Sequence, residues 1–428
     1  MTTKNKDFFI NLLKREVVPA LGCTEPIAVA LASSRAAKEI NRKIDKIEVY
    51  VSCNILKNGM GVGIPGTGMI GLHIAAALGA LGGNPDKDLE VLKGITNDHI
   101  NSAKIFVKNN KVSVSTKDVE TKLYVEAIVR NKDEYCKVII SDKHSNIVYV
   151  EKNGHCIFQG SEELSAPNDC ESNETFHTTV KDIYDFAMNE DFDNIKFILE
   201  GAKMNKTVSL EGLNMDYGLR VGKTLMKTIE KGLLCDDIQN YAMAITAAAS
   251  DARMAGCMLP VMSNSGSGNQ GITVMMPVIA AAEKLKVDDE NLARSLILSN
   301  LIAIHIKSYL GRLSALCGCV VASAGASSGI TYLLGGDFES ITYSIKNMAG
   351  NIVGMICDGA KTGCALKVST GVSAAIQSAL LAIEKIEIGE TDGIIDKDIE
   401  KTIKNLARIG SNGMTETDKL ILDIMVCK

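Results

Sequence analysis

Three long stretches of this chain, Asn58 to Pro85, Met254 to Ala282 and Leu313 to Gly336, contain no Asp, Glu, Lys or Arg. Each approaches the length of a membrane span. Each is also broken by Gly, Pro, Ser and Asn, which in lipid would leave backbone polar groups unsatisfied. The pattern therefore predicts buried segments that line a polar pocket, where small residues let a ligand approach the backbone. The composition agrees: 46% of residues are apolar, yet only 4% are aromatic, Trp is absent and Gly numbers 37. Such a core is built from Ala, Leu, Ile, Val and Met, with helices meeting closely at Gly and Ala.

A chain of 428 residues has room for two or three domains at about 100–200 residues each. Its 46 basic and 51 acidic residues leave a net charge of −5, which offers no basic field to nucleic acid or anionic lipid. Twelve cysteines are too sparse for a disulfide scaffold, and MTTKNKDFFINLLKREVV lacks the apolar run of a signal peptide. The expectation is a cytoplasmic protein with reduced thiols available for chemistry or for a metal.

Along the chain, residues 4–18 read as an amphipathic helix, and EPIAVALASSRAAKEI, Glu25 to Ile40, as a second with Pro in its first turn. ALGCTE connects them and places Cys23 at a helix start. From Ile44 to Val150 the texture turns to β-type runs: KIEVYVS, KIFVKNNKVSVST, LYVEAIVR, EYCKVIIS and NIVYVEK. MIGLHIAAALGAL is a helix crossing them. The fold class expected is α+β, a mainly helical catalytic domain carrying a smaller inserted α+β domain with an antiparallel sheet. Residues 1–42 pack on the helical domain, 43–160 form the insertion, 161–178 (turn-rich and polar) form a linker, and 179–428 form the helical domain.

Most free cysteines are small core hydrophobes. Four stand out by context: Cys23 in LGCTEP, Cys317 in LSALCGC, and Cys357 and Cys364 in CDGAKTGC. The last pair flanks a Gly-containing turn that can bring both thiolates to one metal centre. Thiolates suit zinc and iron–sulfur clusters alike, and no tight Cys doublets mark a closed zinc site.

SNSGSGNQG, Ser263 to Gly271, leads into a helix and offers amide N–H groups to an anion such as a carboxylate. No GK[ST] closes it as a phosphate loop. GVGIPGTG, Gly61 to Gly68, is not a dinucleotide fingerprint. His305 lies in an apolar helix and reads as a core imidazole. Nothing supports a Ser-His-Asp triad, and Lys361 beside GC is no pyridoxal phosphate site.

Together, VVPALGCTEPIAVALA, NILKNGMGVGIPGTGMIGL, NSGSGNQGI, RLSALCGCV and ICDGAKTGCALKV resemble the L-cysteine desulfidase family, which is related to the α-chain of iron–sulfur L-serine dehydratases. The resemblance runs in order over essentially the whole chain. It implies a pyridoxal-independent enzyme that converts L-cysteine to pyruvate, ammonia and hydrogen sulfide with a [4Fe-4S] cluster. Cys317, Cys357 and Cys364 would be the cluster ligands, and Cys23 the catalytic thiol.

On this reading Cys23 is a base whose pKa is lowered at the helix start. Ser265, Ser267, Asn269 and Gln270 hold the substrate carboxylate, with Asn54 and Lys57 as secondary candidates. Cys319 and Cys427 are the rival ligands, while Cys53, Cys136 and Cys170 are dispensable. The partner expected is a small amino acid, and a homodimer is compatible with the Ala/Gly-rich helices. L-serine dehydration, a non-catalytic cluster-based amino-acid or redox sensor, and a zinc-stabilised binding module are the alternatives.

Overall fold

Between Lys46 and Gln159 β-branched and aromatic side chains alternate with polar ones, and here the chain builds a six-stranded sheet. The computed structural model describes residues 3–160, 178–311 and 314–427. Nearly all of the expected linker, residues 161–177 with Cys170, lies outside them. The strands run in the order Val112–Thr116, Lys46–Val51, Tyr124–Arg130, Tyr135–Ser141, Ile147–Lys152 and His155–Gln159. Ile47, Val49 and Val51 alternate inward from Lys46–Val51, the period-2 signature of a sheet with one covered face.

Two sequence expectations are corrected here. Val112–Thr116 pairs parallel with Lys46–Val51, so the sheet is mixed. The reason is the connection between them, which is helical and returns the chain in the same direction. KIFVK, expected as the start of a strand, is the last part of the helix Asn97–Lys108. Thr96 caps that helix in a reciprocal capping box with His99, and Ile100, Ala103 and Phe106 form its buried stripe.

The helical part gathers Ile238–Met254, Gly268–Leu285, Asp289–Leu310, Gly318–Leu333, Phe338–Ile352 and Cys364–Ile383 around one core. Asp237, Asp288 and Asp337 each accept a hydrogen bond from the backbone N–H three residues on, so three of these helices start at side-chain caps. Cys364–Ile383 is long and apolar enough to cross a bilayer by length and composition, but Val368, Val372, Ala375 and Ala379 are buried in the helical core.

The first 42 residues divide between the two cores. Phe9 and Leu13 of the helix Thr3–Glu16 join the helical core, with Phe9 packed on Phe186 at a ring-centroid distance of 4.9 Å. Thr24–Ile40 instead joins the sheet core through Ile27, Val29, Leu31 and Ile40. It is buried nearly all round, its polar Thr24, Glu25, Ser33 and Ser34 included, so it lies between partners rather than on a surface.

Close helix approach is visible at Gly325, where a Cβ would lie 2.3 Å from the Ser299 carbonyl oxygen. Gly325→Ala gains about 1 kcal/mol of helix propensity but forces Gly318–Leu333 away from Asp289–Leu310. Overpacking costs about 1–3 kcal/mol, with more expected where the obstacle is backbone. The variant is expected to unfold at lower urea than the parent, and an unchanged or raised midpoint would show that the two helices can separate freely.

Candidate functional site

Five loops carrying the motifs meet where the two cores join, and their backbones bond to one another. Gly63 N–H donates to Met254 O at 2.9 Å, Gly66 N–H to Gly256 O at 3.2 Å and Ser265 N–H to Glu16 O at 3.0 Å. Cys317 N–H donates to Met355 O at 3.0 Å, and Cys357 N–H to Ala315 O at 2.6 Å. Buried loop backbone has to be satisfied in this way once water is excluded. Glycine makes the approach feasible: Gly359 has φ +88°, and a Cβ there would sit 2.2 Å from Lys57 O.

The loops enclose a cavity of about 140 Å³. Cys23, Cys317, Cys319, Cys357 and Cys364 line it, with Glu25, His144, Arg253, Lys307 and Lys367 supplying charge. A more open groove of about 380 Å³ lies between Gln239 and Leu381 and shares no lining residue with it. Glu384 is the only acidic or basic side chain there, so the chemistry belongs to the smaller cavity.

Helix starts position two of the thiols. Cys317 is the N-cap residue of Gly318–Leu333, and Cys364 opens Cys364–Ile383. Cys357 is held in the intervening loop by its N–H bond to Ala315. Burial pushes the Cys317 thiol well above its ordinary pKa, and repulsion from Cys319, Cys357 and Cys364 pushes it further. Burial raises Cys364 as well, with added repulsion from Cys357. Cys319 donates to Lys367 O at 3.2 Å, and burial pushes its thiol up to about 12.

Next to Cys357, Asp358 is pinned between Lys361 and Lys367. Burial acts to raise its pKa, but hydrogen bonds and charge from the two lysines prevail and bring it to about 2. The turn joining Cys357 to Cys364 is thereby held shut.

Cys23 departs from its expectation. It occupies the N-cap position of Thr24–Ile40, but only 6% of its surface is exposed. Burial, then the charge of Glu25, drive its pKa far up, so it is a thiol and not a thiolate at neutral pH. Sγ donates to Glu25 Oε2 at 3.1 Å, and Asn58 Nδ2 donates to Glu25 Oε1 at 3.3 Å. For Glu25 burial acts upward, but the charge of His144 and the Cys23 hydrogen bond hold it below the ordinary carboxylate range. At rest the pair therefore keeps its proton on sulfur and its negative charge on the carboxylate.

The loop 263–271 contributes in a different manner from that expected. Ser265 Oγ donates to Asn264 Oδ1 at 2.9 Å, and Gln270 Nε2 donates to the same oxygen at 2.8 Å. Ser267 Oγ caps the helix Gly268–Leu285 by accepting from Gln270 N–H at 3.3 Å. The Ser265 hydroxyl and one Gln270 side-chain N–H are thus committed to the loop itself, while Ser267, an acceptor in its cap, keeps its hydroxyl proton. Asn269 Oδ1 accepts from Arg253 Nη1 at 3.2 Å, while Arg253 Nη2 donates to Gly22 O at 3.0 Å.

Asn54 and Lys57 are outside the lining. Lys57, 2% exposed, pairs with Asp418, and Asn54 Nδ2 donates to the other Asp418 oxygen at 2.9 Å. Both therefore tie the helix Thr415–Val426 to the helix Cys53–Gly59. Cys427 is exposed after that last helix and is not in the lining.

Glu25, Arg253 and His144 were not singled out from sequence. Glu25 stands inside the GCTEP motif two places from Cys23. Arg253 is the last charge before the second charge-free stretch, a signal in plain view. His144, in a turn of the sheet domain, has no local signal.

A family described as serine dehydratase alpha chain matches residues 86–423. The chain is 52% identical to a UPF0597 protein of Oleidesulfovibrio alaskensis, covering 98% of both chains. A UPF0597 protein of Parabacteroides distasonis is 50% identical over the full length of both. One from Shewanella halifaxensis is 48% identical over 98% of each. These relatives span Cys23 and Glu25, which precede the region matched by the family.

The burial pattern sets thiol reactivity. Under anaerobic native conditions iodoacetamide is expected to label Cys53, Cys156, Cys235 and Cys427, all exposed, within minutes, and to spare Cys23 and Cys136, which are buried. Peptide mass mapping reads the order, and early labelling of Cys23 would mean that it is an exposed or ionised thiol.

Proposed function

For a chain that belongs to the serine dehydratase alpha-chain family, we propose an iron–sulfur lyase that removes the β-substituent of a small amino acid. Its substrate is L-cysteine, and its products are pyruvate, ammonia and hydrogen sulfide. The observation that carries this reading is one small cavity onto which a thiol cluster and the Cys23–Glu25 proton pair both open.

The donor set fits a cluster. Cys317, Cys357 and Cys364 face the same cavity, and their neighbours oppose ionisation of Cys317 and Cys364, a cost that bound cationic iron would offset. Among the described residues no three His, Cys, Asp or Glu side chains close on a single-ion site, whereas zinc gathers its thiolates at about 2.3 Å. A cluster spreads its ligands over several iron atoms and asks for no such convergence. When bound by these three cysteines, a [4Fe-4S] cluster has one iron without a protein thiolate, which supplies Lewis-acid assistance to a departing sulfur.

The chain's own groups supply the proton chemistry. Glu25 Oε2 takes the Cys23 thiol proton as Cys23 Sγ takes the proton from the substrate α-carbon. The released electron pair forms the Cα–Cβ double bond, and the Cβ–S bond breaks with sulfide leaving. Aminoacrylate then tautomerises and reacts with water to give pyruvate and ammonia. Thr24 and Asn58 hold the Glu25 carboxylate at the cavity wall by hydrogen bonds, so the pair is oriented before substrate arrives.

L-serine dehydration is the second reading, favoured by the name of the matching family. The leaving group argues for cysteine: thiolate departs more readily than hydroxide and is the better ligand for sulfur-bound iron. Size discrimination between S and O adds only about 1–3 kcal/mol. Anaerobic assays are expected to show sulfide and pyruvate in equal amounts from L-cysteine, with a much lower kcat/KM for L-serine. Faster pyruvate from serine, with no sulfide from cysteine, would make the protein a dehydratase. No turnover with either would remove the lyase reading.

Iron content and turnover separate the residue roles. Changing Cys317, Cys357 or Cys364 to Ser is expected to abolish the cluster, whereas Cys319→Ser retains it. Cys23→Ala and Glu25→Gln are expected to keep iron and to lose about 10²–10⁴-fold in kcat, the usual share of general acid–base catalysis. Loss of iron in Cys23→Ala would make Cys23 a ligand instead.

A further inference from the structure

Arg253 is a guanidinium with work left undone. It is 4% exposed and lines the cavity, yet its hydrogen bonds go to a neutral amide and a backbone carbonyl, Asn269 Oδ1 and Gly22 O. Its Nε–H has no acceptor. Two of the fork's five N–H donors make these bonds, and the fork also interacts with the Cys23 sulfur. Among the described residues no carboxylate forms a salt bridge with it. The Glu25 carboxylate acts on Arg253 through space without a salt bridge, so the buried fork keeps hydrogen-bonding capacity that an anionic ligand would use.

The surroundings keep this fork in place. Gly268 opens the helix Gly268–Leu285, and a Cβ there would come within 2.2 Å of Arg253 Nε. Glycine is therefore needed for the guanidinium to lie against the first turn of that helix, where backbone amides and the positive end of the dipole also favour an anion. The carbonyl that Nη2 holds belongs to Gly22, the residue bonded to Cys23. Anchor and proton-transfer pair are thus one peptide unit apart. Arg253 is also close enough to the Cys23 sulfur to act against the rise in its pKa.

We infer that Arg253 is the anchor for the substrate carboxylate, with Gly268 leaving it room and Asn269 aligning it, and that the Ser265 hydroxyl is structural. The inference deepens the lyase reading and rests on it for the identity of the amino acid. The chemistry recognised is a small α-amino or α-keto monocarboxylate. A fork–carboxylate pair fixes both the position and the plane of the carboxyl group, which presents the α-carbon to Cys23.

The test uses the iron-loaded full chain under anaerobic conditions and three probes that are not substrates for elimination: L-alanine, pyruvate and cysteamine, the last lacking a carboxylate. Arg253→Gln is expected to weaken L-alanine and pyruvate about 30-fold or more by calorimetry, a typical loss for a charge-assisted bidentate pair. KM for L-cysteine should rise in parallel, while cysteamine binding stays at the parental value. Gly268→Ala, which displaces the fork without removing it, should act in the same direction, and Arg253→Lys should recover part of the loss. Iron content and thermal melting identify variants that fold. Unchanged affinity for both carboxylates in a folded Arg253→Gln or Gly268→Ala variant overturns the anchor, as does an equal loss for cysteamine or failure of the parent to bind either carboxylate. Arg253-dependent binding of pyruvate by a parent that turns over no amino acid would keep the anchor and remove the lyase. Lyase activity with an unchanged KM in Arg253→Gln would do the reverse.

Discussion

Backbone groups taken out of water must find partners, and in this protein the partners of one buried loop are the backbones of the others. Gly63 bonds to Met254, Ser265 to Glu16, Cys317 to Met355 and Cys357 to Ala315. This mutual satisfaction, which includes a two-residue antiparallel pairing of Pro19–Ala20 with Val261–Met262, is what permits five largely irregular segments to lie between two cores. It also explains the absence of charge from the three long stretches. A charged side chain at these crossings would have to be buried unpaired, at a cost of several kcal/mol.

The same exclusion of water governs the chemistry. Burial drives the thiols of Cys23, Cys317, Cys319 and Cys364 toward their neutral forms. A buried thiol cluster is therefore a poor place for free thiolates and a good place for thiolates paired with a cation. Cys23 is apart from this balance, because its neighbour is a carboxylate. The pair Cys23–Glu25 keeps a proton on sulfur and the negative charge on oxygen, and the charge of Arg253 lowers the cost of that carboxylate.

The folded chain also gives roles to groups that look similar on paper. Lys57, Lys361, Lys367 and Arg253 all flank the motifs. Lys57 holds the C-terminal helix through Asp418, while Lys361 and Lys367 close the turn between two thiols through Asp358. Arg253 alone among these four lacks a carboxylate partner among the described residues. Paired cations hold the fold together, and the unpaired one faces the cavity.

Much of this was legible before folding. Periodicity marked the helices and most strands, because an amphipathic face is written in local spacing. The charge-free, glycine-broken stretches identified the pocket walls, since a charge-free run of such length, here loop followed by buried helix, marks chain taken out of water. The thiols of Cys317, Cys357 and Cys364 were marked by motif context. Three features were not legible, each for a nonlocal reason. The parallel pairing of Val112–Thr116 depends on where a helical crossover returns the chain. The attachment of Thr24–Ile40 to the sheet core depends on which of two apolar partners is nearer in space. The protonation of Cys23 depends on Glu25, Arg253 and burial together, and a helix start alone pointed the opposite way. Sequence determined which residues could be buried and which thiols could gather; tertiary structure decided which charges met them, because an electrostatic environment is set by distance through space and not by distance along the chain.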